Sequence, residues 1–169
     1  MTRIVLAVCV VLLSACGDRE SYTNRAEGIP LLLGEFQSYS SEQEVRAALS
    51  PWRIQDVERS SLGPGDRRPP YDIVTLAVVE YQHLGVRGEL RLGLFNNRLM
   101  SVWFYPTDIE AYMAALKRRD VAVTTELTGR SSTGTLRVWS QRDFRDRTYV
   151  SWSDGRLEDQ SGRWISRYS

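Results

Sequence analysis

The chain has 169 residues, with 22 basic and 21 acidic side chains, a single histidine and a formal net charge of +1. So even a balance excludes the basic excess with which nucleic-acid-binding domains meet phosphate. Lys117 is the only lysine, an arginine bias that a GC-rich coding sequence explains without any function.

Residues 4–13 form an unbroken small or apolar stretch after Met1-Thr2-Arg3, and small residues follow at Ser14 and Ala15. A short positive start, an apolar core and small residues before a cut site make the plan of a secretory signal peptide. Ten residues are too few for a spanning helix, which needs roughly 20, and Gly17-Asp18-Arg19-Glu20 ends the apolar run at once. Leu13-Ser14-Ala15-Cys16 resembles the lipobox of bacterial lipoproteins. That resemblance implies removal of residues 1–15 and a diacylglycerol thioether on Cys16, which becomes the first residue of a mature chain of about 154 residues, room for one ordinary domain or two small ones. Cys9 also follows an apolar run, but a cut there leaves almost no apolar core. Two or three acyl chains hold a protein on a bilayer where one holds it only marginally. Gly17 stands where an aspartate marks inner-membrane retention in the enterobacterial pattern, so the resemblance favours the outer membrane, facing the periplasm, over the inner one. With Cys9 cleaved away and Cys16 lipidated, the body has no thiol, hence no disulfide, thiolate metal site or cysteine nucleophile.

Residues 16–28 are polar and aperiodic and read as a flexible tether lifting the domain off the lipid surface. An apolar run at residues 29–33 opens the domain. Ser41-Glu42-Gln43-Glu44 is a capping box, followed by Val45, Ala48 and Leu49 on one helical face and stopped by Ser50-Pro51. Residues 60–70, rich in Gly, Pro and Arg, read as a loop. Residues 72–81 hold a β-branched apolar run, which predicts a strand covered on both faces. Residues 89–95 alternate, Asn96-Asn97 suits a type I′ turn, and residues 98–105 return. A two-residue loop pairs Phe95 with Arg98, sets Leu94 opposite Leu99 and Leu90 opposite Trp103, and keeps Leu90, Leu92, Leu94, Leu99 and Trp103 on one face.

Thr107-Asp108-Ile109-Glu110 is a second capping box, opening a helix with Ile109, Tyr112, Met113 and Leu116 on its apolar face. Residues 121–127 read as a strand, residues 128–134 as a loop, and residues 136–139 and 148–152 as alternating strands. Asp154-Gly155 reads as another hairpin turn, pairing Ser153 with Arg156, with a last strand within residues 163–168. The expected fold is therefore α+β, an antiparallel sheet with two helices packed on one face. Residues 29–169 form a single domain, and Arg-Leu after both turns suggests a duplicated αβββ unit with halves 29–106 and 107–169.

Residues 41–49, followed by a strand ending Leu94-Phe95-Asn96-Asn97-Arg98-Leu99, resemble small outer-membrane lipoproteins of the SmpA/OmlA type, whose two-helix, three-strand unit is shared with β-lactamase-inhibitor-like proteins. The resemblance covers about half the mature chain and implies an accessory role in envelope assembly or inhibition, without catalysis. The loop at 60–70 and the second half depart from it.

Catalytic motifs are sparse. His83, within Tyr81-Gln82-His83-Leu84-Gly85, reads as a surface or turn histidine, and no Gly-x-Ser-x-Gly elbow supplies a nucleophile for it. One histidine without a free thiol is a poor start for zinc. Asp143 and Asp146, like Glu158 and Asp159, have arginines close by and read as ion-pairing faces, and Gly63-Pro64-Gly65 lacks the lysine and helix of a phosphate loop. No metal, cofactor or catalytic residue is expected. A candidate partner surface gathers toward the C-terminus: Trp139, Tyr149, Trp152 and Trp164 with Arg137, Arg156 and Arg163, residue types that dominate interface hot spots. The alternative for these aromatics is the core. The sequence thus points to a non-enzymatic, lipid-anchored cell-envelope protein binding a protein or cell-wall partner. Two alternatives are an inhibitor or immunity lipoprotein against a toxin or hydrolase, and a hydrolase using a carboxylate or His83.

Overall fold

A computed structural model describes residues 21–124, 131–133 and 135–169, with the side chains of 131–133 left aside. The signal peptide, the lipobox and Cys16 lie outside the described residues.

In chain order the elements are α1 (Glu42–Ala48), β1 (Ile54–Ser61), β2 (Asp72–His83), β3 (Val86–Phe95), β4 (Leu99–Pro106), α2 (Ile109–Lys117), β5 (Ser131–Thr133), β6 (Leu136–Arg142), β7 (Thr148–Asp154) and α3 (Gly155–Tyr168). The strands form one sheet in the order β1-β2-β3-β4-β7-β6-β5, every neighbouring pair antiparallel. This is the expected α+β architecture. Its inner face carries Leu90, Leu92, Leu94, Leu99, Val102 and Phe104, packed against Val45 and Leu49 of α1 and its cap and Tyr112 and Leu116 of α2. A smaller core on the outer face joins Phe95 to Tyr22 and to Trp164 of α3.

Local chemistry explains most of these elements. The Ser41 capping box is closed: the Ser41 hydroxyl accepts from the Glu44 backbone N–H, and the Glu44 carboxylate accepts from the Ser41 N–H at 2.7 Å. At the second box the cap is Asp108, whose carboxylate accepts from Ala111 N at 2.9 Å. Thr107 instead uses its N–H and hydroxyl on the Arg87 carbonyl. Strand β2 is covered on both sides, since Val74, Thr75, Leu76, Ala77 and Val78 are buried in succession. Asn96 and Asn97 take φ of 49° and 55°, the positive pair a type I′ turn requires.

Strand β1 has no counterpart in the expected order. It lies at the sheet edge with seven of its eight residues exposed, so it carries none of the alternation that betrays a half-buried strand. A bulge at Val57 and the charges of Asp56, Glu58 and Arg59 blunt that edge. Residues 121–124 are the reverse case. Val121 and Val123 pack against the main core, yet only Thr124 reaches a strand, through one isolated bridge to Trp139. Residues 125–127 lie outside the described residues. Of residues 128–134, read as a loop, Ser131–Thr133 pair with β6 as β5, and the others lie outside the described residues.

The β3–β4 hairpin corrects the expected register. Leu94 does face Leu99, but Gly93 pairs with Ser101, so Met100 is an extra residue. A bulge of one residue sends every later side chain to the opposite face. Leu90 therefore pairs with Phe104, and Trp103 pairs with Arg91 on the outer face.

The largest correction is α3. Asp154-Gly155 is not a hairpin turn: Asp154 is the N-cap of a helix, its carboxylate accepting from Arg156 N at 2.9 Å. Leu157, Ser161 and Trp164 are buried one helical turn apart. Residues 163–168 belong to this helix, so Arg156-Leu157 follows a helix start and not a hairpin turn, and the matching Arg-Leu turns that suggested a duplication are not a pair.

Residues 21–28, read as tether, are docked. Tyr22 is 3% exposed. Its carbonyl accepts from Asn96 Nδ2 at 3.0 Å and from the Arg98 guanidinium, which also donates to the Asn24 carbonyl at 3.0 Å. Gln160 Nε2 donates to the Ser21 carbonyl at 2.8 Å, and Arg156 donates to that of Glu27 at 2.8 Å.

Candidate functional site

The Met100 bulge turns Tyr105 outward, directly opposite Glu89 on β3. Arg91 stands two residues further along β3 on the same face, and the turn between β6 and β7 brings Arg147 from the other side. Both guanidinium groups lie against the Tyr105 ring, that of Arg91 5.0 Å and that of Arg147 4.5 Å from its centre. Tyr149 of β7 stacks beside it at 4.9 Å, with 33° between the rings, and Gln141 of β6 donates to the Tyr149 hydroxyl.

Glu89 ties the cluster together, accepting from Arg91 Nε and from Arg147 Nη1 at 2.8 Å. Burial opposes its ionisation, but the hydrogen bonds and charges of both arginines outweigh that and hold its carboxyl below the ordinary value. Burial pushes the Tyr105 and Tyr149 hydroxyls above theirs, so both remain neutral donors. Arg147 is steadied from its other end by Asp143, at 3.0 Å. In that same turn Asp143 also accepts from the backbone N–H groups of Arg145 and Arg147, and Asp146 takes the positive φ of 59° that the turn requires.

An open groove of about 420 Å³ runs along this cluster, bounded by Val79, Gly88, Glu89, Tyr105, Thr107 and Arg147. Gly88 is required by the chain's close approach, because a Cβ there would lie 2.3 Å from the Tyr105 carbonyl oxygen. Gly93 serves Trp103 in the same way: its missing Cβ leaves room for the indole, which would otherwise stand 2.5 Å away. Trp103, half-buried, continues the aromatic surface from Tyr105 toward the middle of the sheet. The cluster offers neutral phenol groups, guanidinium edges and ring surface in a fixed arrangement. Its charges are mutually matched, which suits recognition by shape and hydrogen bonding better than capture of a free anion.

The residues expected to form one partner surface are dispersed. Trp152 lies in the main core, 6.2 Å from the Tyr112 ring. Trp164 fills the outer core, and its indole N–H donates to the Pro69 carbonyl at 2.9 Å. Trp139 and Tyr149 are buried as well. Arg137 pairs with Glu158 and Asp159 of α3 at 3.2 and 2.8 Å, and Arg156 with Asp154 at 2.8 Å. Arg163 is exposed on α3. Because residues 155–168 are helical rather than extended, Trp164 turns inward and the expected display does not form. Of the seven, only Tyr149 belongs to the groove cluster. Glu89, Arg91 and Tyr105 were passed over because the sequence register put Tyr105, like Trp103, on the core face, away from Glu89 and Arg91.

His83 ends β2, just before the Leu84-Gly85 turn, and is half-buried rather than on the surface. Its Nδ1 meets the Tyr112 hydroxyl at 2.6 Å, and its ring packs edge-on to Phe104 and Trp152. Burial, with some help from Arg119, lowers its pKa and favours the neutral ring. The candidate carboxylates pair with arginines: Asp146 with Arg142 at 2.9 Å, and Glu158 and Asp159 with Arg137. Among the described residues no group of three or more His, Cys, Asp or Glu side chains comes together as a metal site.

Comparison with known proteins supplies no family. No family model matches the chain, and no curated protein matches it significantly.

Proposed function

We propose that this is a lipid-anchored cell-envelope protein that works by binding a protein partner through the groove lined by Glu89, Tyr105 and Arg147, in a non-catalytic role. The observation that carries the reading is the stack itself. Tyrosine and arginine dominate protein interface hot spots, and here their side chains are already held by Glu89, Asp143 and Tyr149, which reduces the entropy lost on docking. The lipobox pattern at Leu13-Ser14-Ala15-Cys16 supports the anchor, and the resemblance to SmpA/OmlA-type lipoproteins points to the same accessory role at the outer membrane.

The test is affinity capture from detergent-solubilised envelopes with a tagged, lipidated chain. One partner should be recovered repeatedly with the wild type and lost with Tyr105→Ala/Arg147→Ala, while circular dichroism shows both chains folded. Recovery unaffected by the double substitution would remove the groove from the reading, and repeated recovery of no partner would remove the reading itself. A captured toxin or hydrolase whose activity falls in the complex would move the assignment to an inhibitor or immunity protein.

A further inference from the structure

The hydrogen-bonding groups left over along the groove define what kind of segment fits it. β3 and β4 are interior strands of the sheet, so their backbone groups pair with their neighbours and no free edge is offered to an added strand. The carboxylates of the cluster are turned inward. Glu89 accepts from Arg91 and Arg147, and Asp143 accepts from Arg147 and from two backbone N–H groups. With Arg91 and Arg147 matched by Glu89 and Asp143, the cluster has no net charge with which to select an acidic or a basic peptide.

What remains unengaged are donors. Among the described residues no hydrogen bond takes the Tyr105 hydroxyl, and Arg91 donates only through Nε, leaving its terminal N–H groups beside the Tyr105 ring. The rest of the groove is largely apolar: Val79 is 54% exposed, Pro106 and Ile109 are partly exposed, and Gly88 has no side chain. An ordinary peptide brings one N–H per residue, and each one buried without an acceptor costs about 1–3 kcal/mol. Proline brings none. A polyproline II segment makes no hydrogen bonds within itself, so its carbonyls stay free to accept, and its pyrrolidine rings supply apolar surface. It is also ordered before it docks, which reduces the entropy lost on binding.

We infer that the groove binds an extended, proline-rich segment of the protein partner, its rings against Val79, Gly88 and Tyr105 and its carbonyls accepting from the Tyr105 hydroxyl and Arg91. The inference rests on the reading of this groove as the partner site and adds the chemistry of what enters it.

For the test, a fluorescein-labelled, end-blocked decaproline is titrated into the full lipidated chain in detergent micelles and followed by anisotropy. Binding should saturate, and an alternating alanine–glycine peptide of equal length should not bind. Tyr105→Phe keeps the ring and removes one donor, and should weaken binding about fivefold, the equivalent of one hydrogen bond. Val79→Asp changes an exposed position that the fold tolerates and should weaken it at least as much. Val57→Ala on the β1 edge should leave it unchanged, with circular dichroism showing every chain folded. Equal binding of the two peptides, no binding of either, or decaproline binding indifferent to both groove substitutions would overturn the inference. So would a cell-wall muropeptide that binds the groove in place of decaproline. In each of those cases, loss of envelope capture with Tyr105→Ala/Arg147→Ala would leave the groove as the partner site, and unaffected capture would remove that reading as well.

Discussion

Replacing Asp154 with alanine separates a helix cap from a hairpin turn at the place where sequence and structure differ most. The Asp154 side chain is fully buried, caps α3 through Arg156 N, accepts from the Ser38 hydroxyl at 2.8 Å and pairs with Arg156. An N-cap is worth about 0.5–2 kcal/mol. Ser38, itself buried, loses its short hydrogen bond and keeps only a 3.4 Å contact with the Leu99 carbonyl, which costs about 1 kcal/mol. The Arg156 side chain is about a third exposed and retains the Glu27 and Gly28 carbonyls, so its loss is held below about 1 kcal/mol. The sum is about 2–4 kcal/mol, or roughly 5–15 °C in Tm for a domain of this size. Thermal and urea unfolding followed by circular dichroism would measure it. Asp154→Asn, which retains a capping oxygen, should cost about half as much. A loss below about 1 kcal/mol for Asp154→Ala would refute the cap and with it the account of α3.

Leu92→Ala, in the middle of the inner core, should cost about 2–5 kcal/mol, whereas Val57→Ala on the exposed β1 edge should stay within about 0.5 kcal/mol, both read from urea midpoints. Gly88→Ala meets the Tyr105 carbonyl, a backbone atom that cannot swing aside. It should destabilise by about 1–3 kcal/mol and weaken partner capture at the same time. His83 is held below its ordinary pKa, so the unfolded chain binds the extra proton first as pH falls. Its contribution to stability is complete above the unfolded value of about 6.5 and is lost as pH drops through that value toward the folded pKa. Wild type should therefore lose Tm between pH 7 and 5 more steeply than His83→Asn, and parallel curves would contradict the assignment.

Much of the fold was legible because local chemistry and burial agree. The Ser41 capping box, the Asn96-Asn97 turn and the continuous run of β2 each have one structural solution that their residues satisfy alone. β1 was illegible for the opposite reason: an exposed edge strand has no side to bury and so no alternation. Val121 and Val123 alternate yet form no strand, since alternation records one covered side and says nothing of a hydrogen-bonded neighbour. The groove cluster failed on a single residue. Met100 carries no mark of a bulge, but its insertion decides whether Trp103 and Tyr105 join the core or face outward.

The charge balance, the leader pattern, the caps and the Asn-Asn turn are properties of the sequence itself, since each depends on residues a few positions apart. Tertiary structure decided what depended on partners far away in the chain. Asp154-Gly155 suits both a hairpin turn and a helix start, and Ser38, 116 positions distant, completes the cap. The polar residues after Cys16 have the composition of a linker, yet Asn96, Arg98 and Gln160 supply the hydrogen bonds that dock residues 21–28. A linker and a docked segment differ only in what lies beside them.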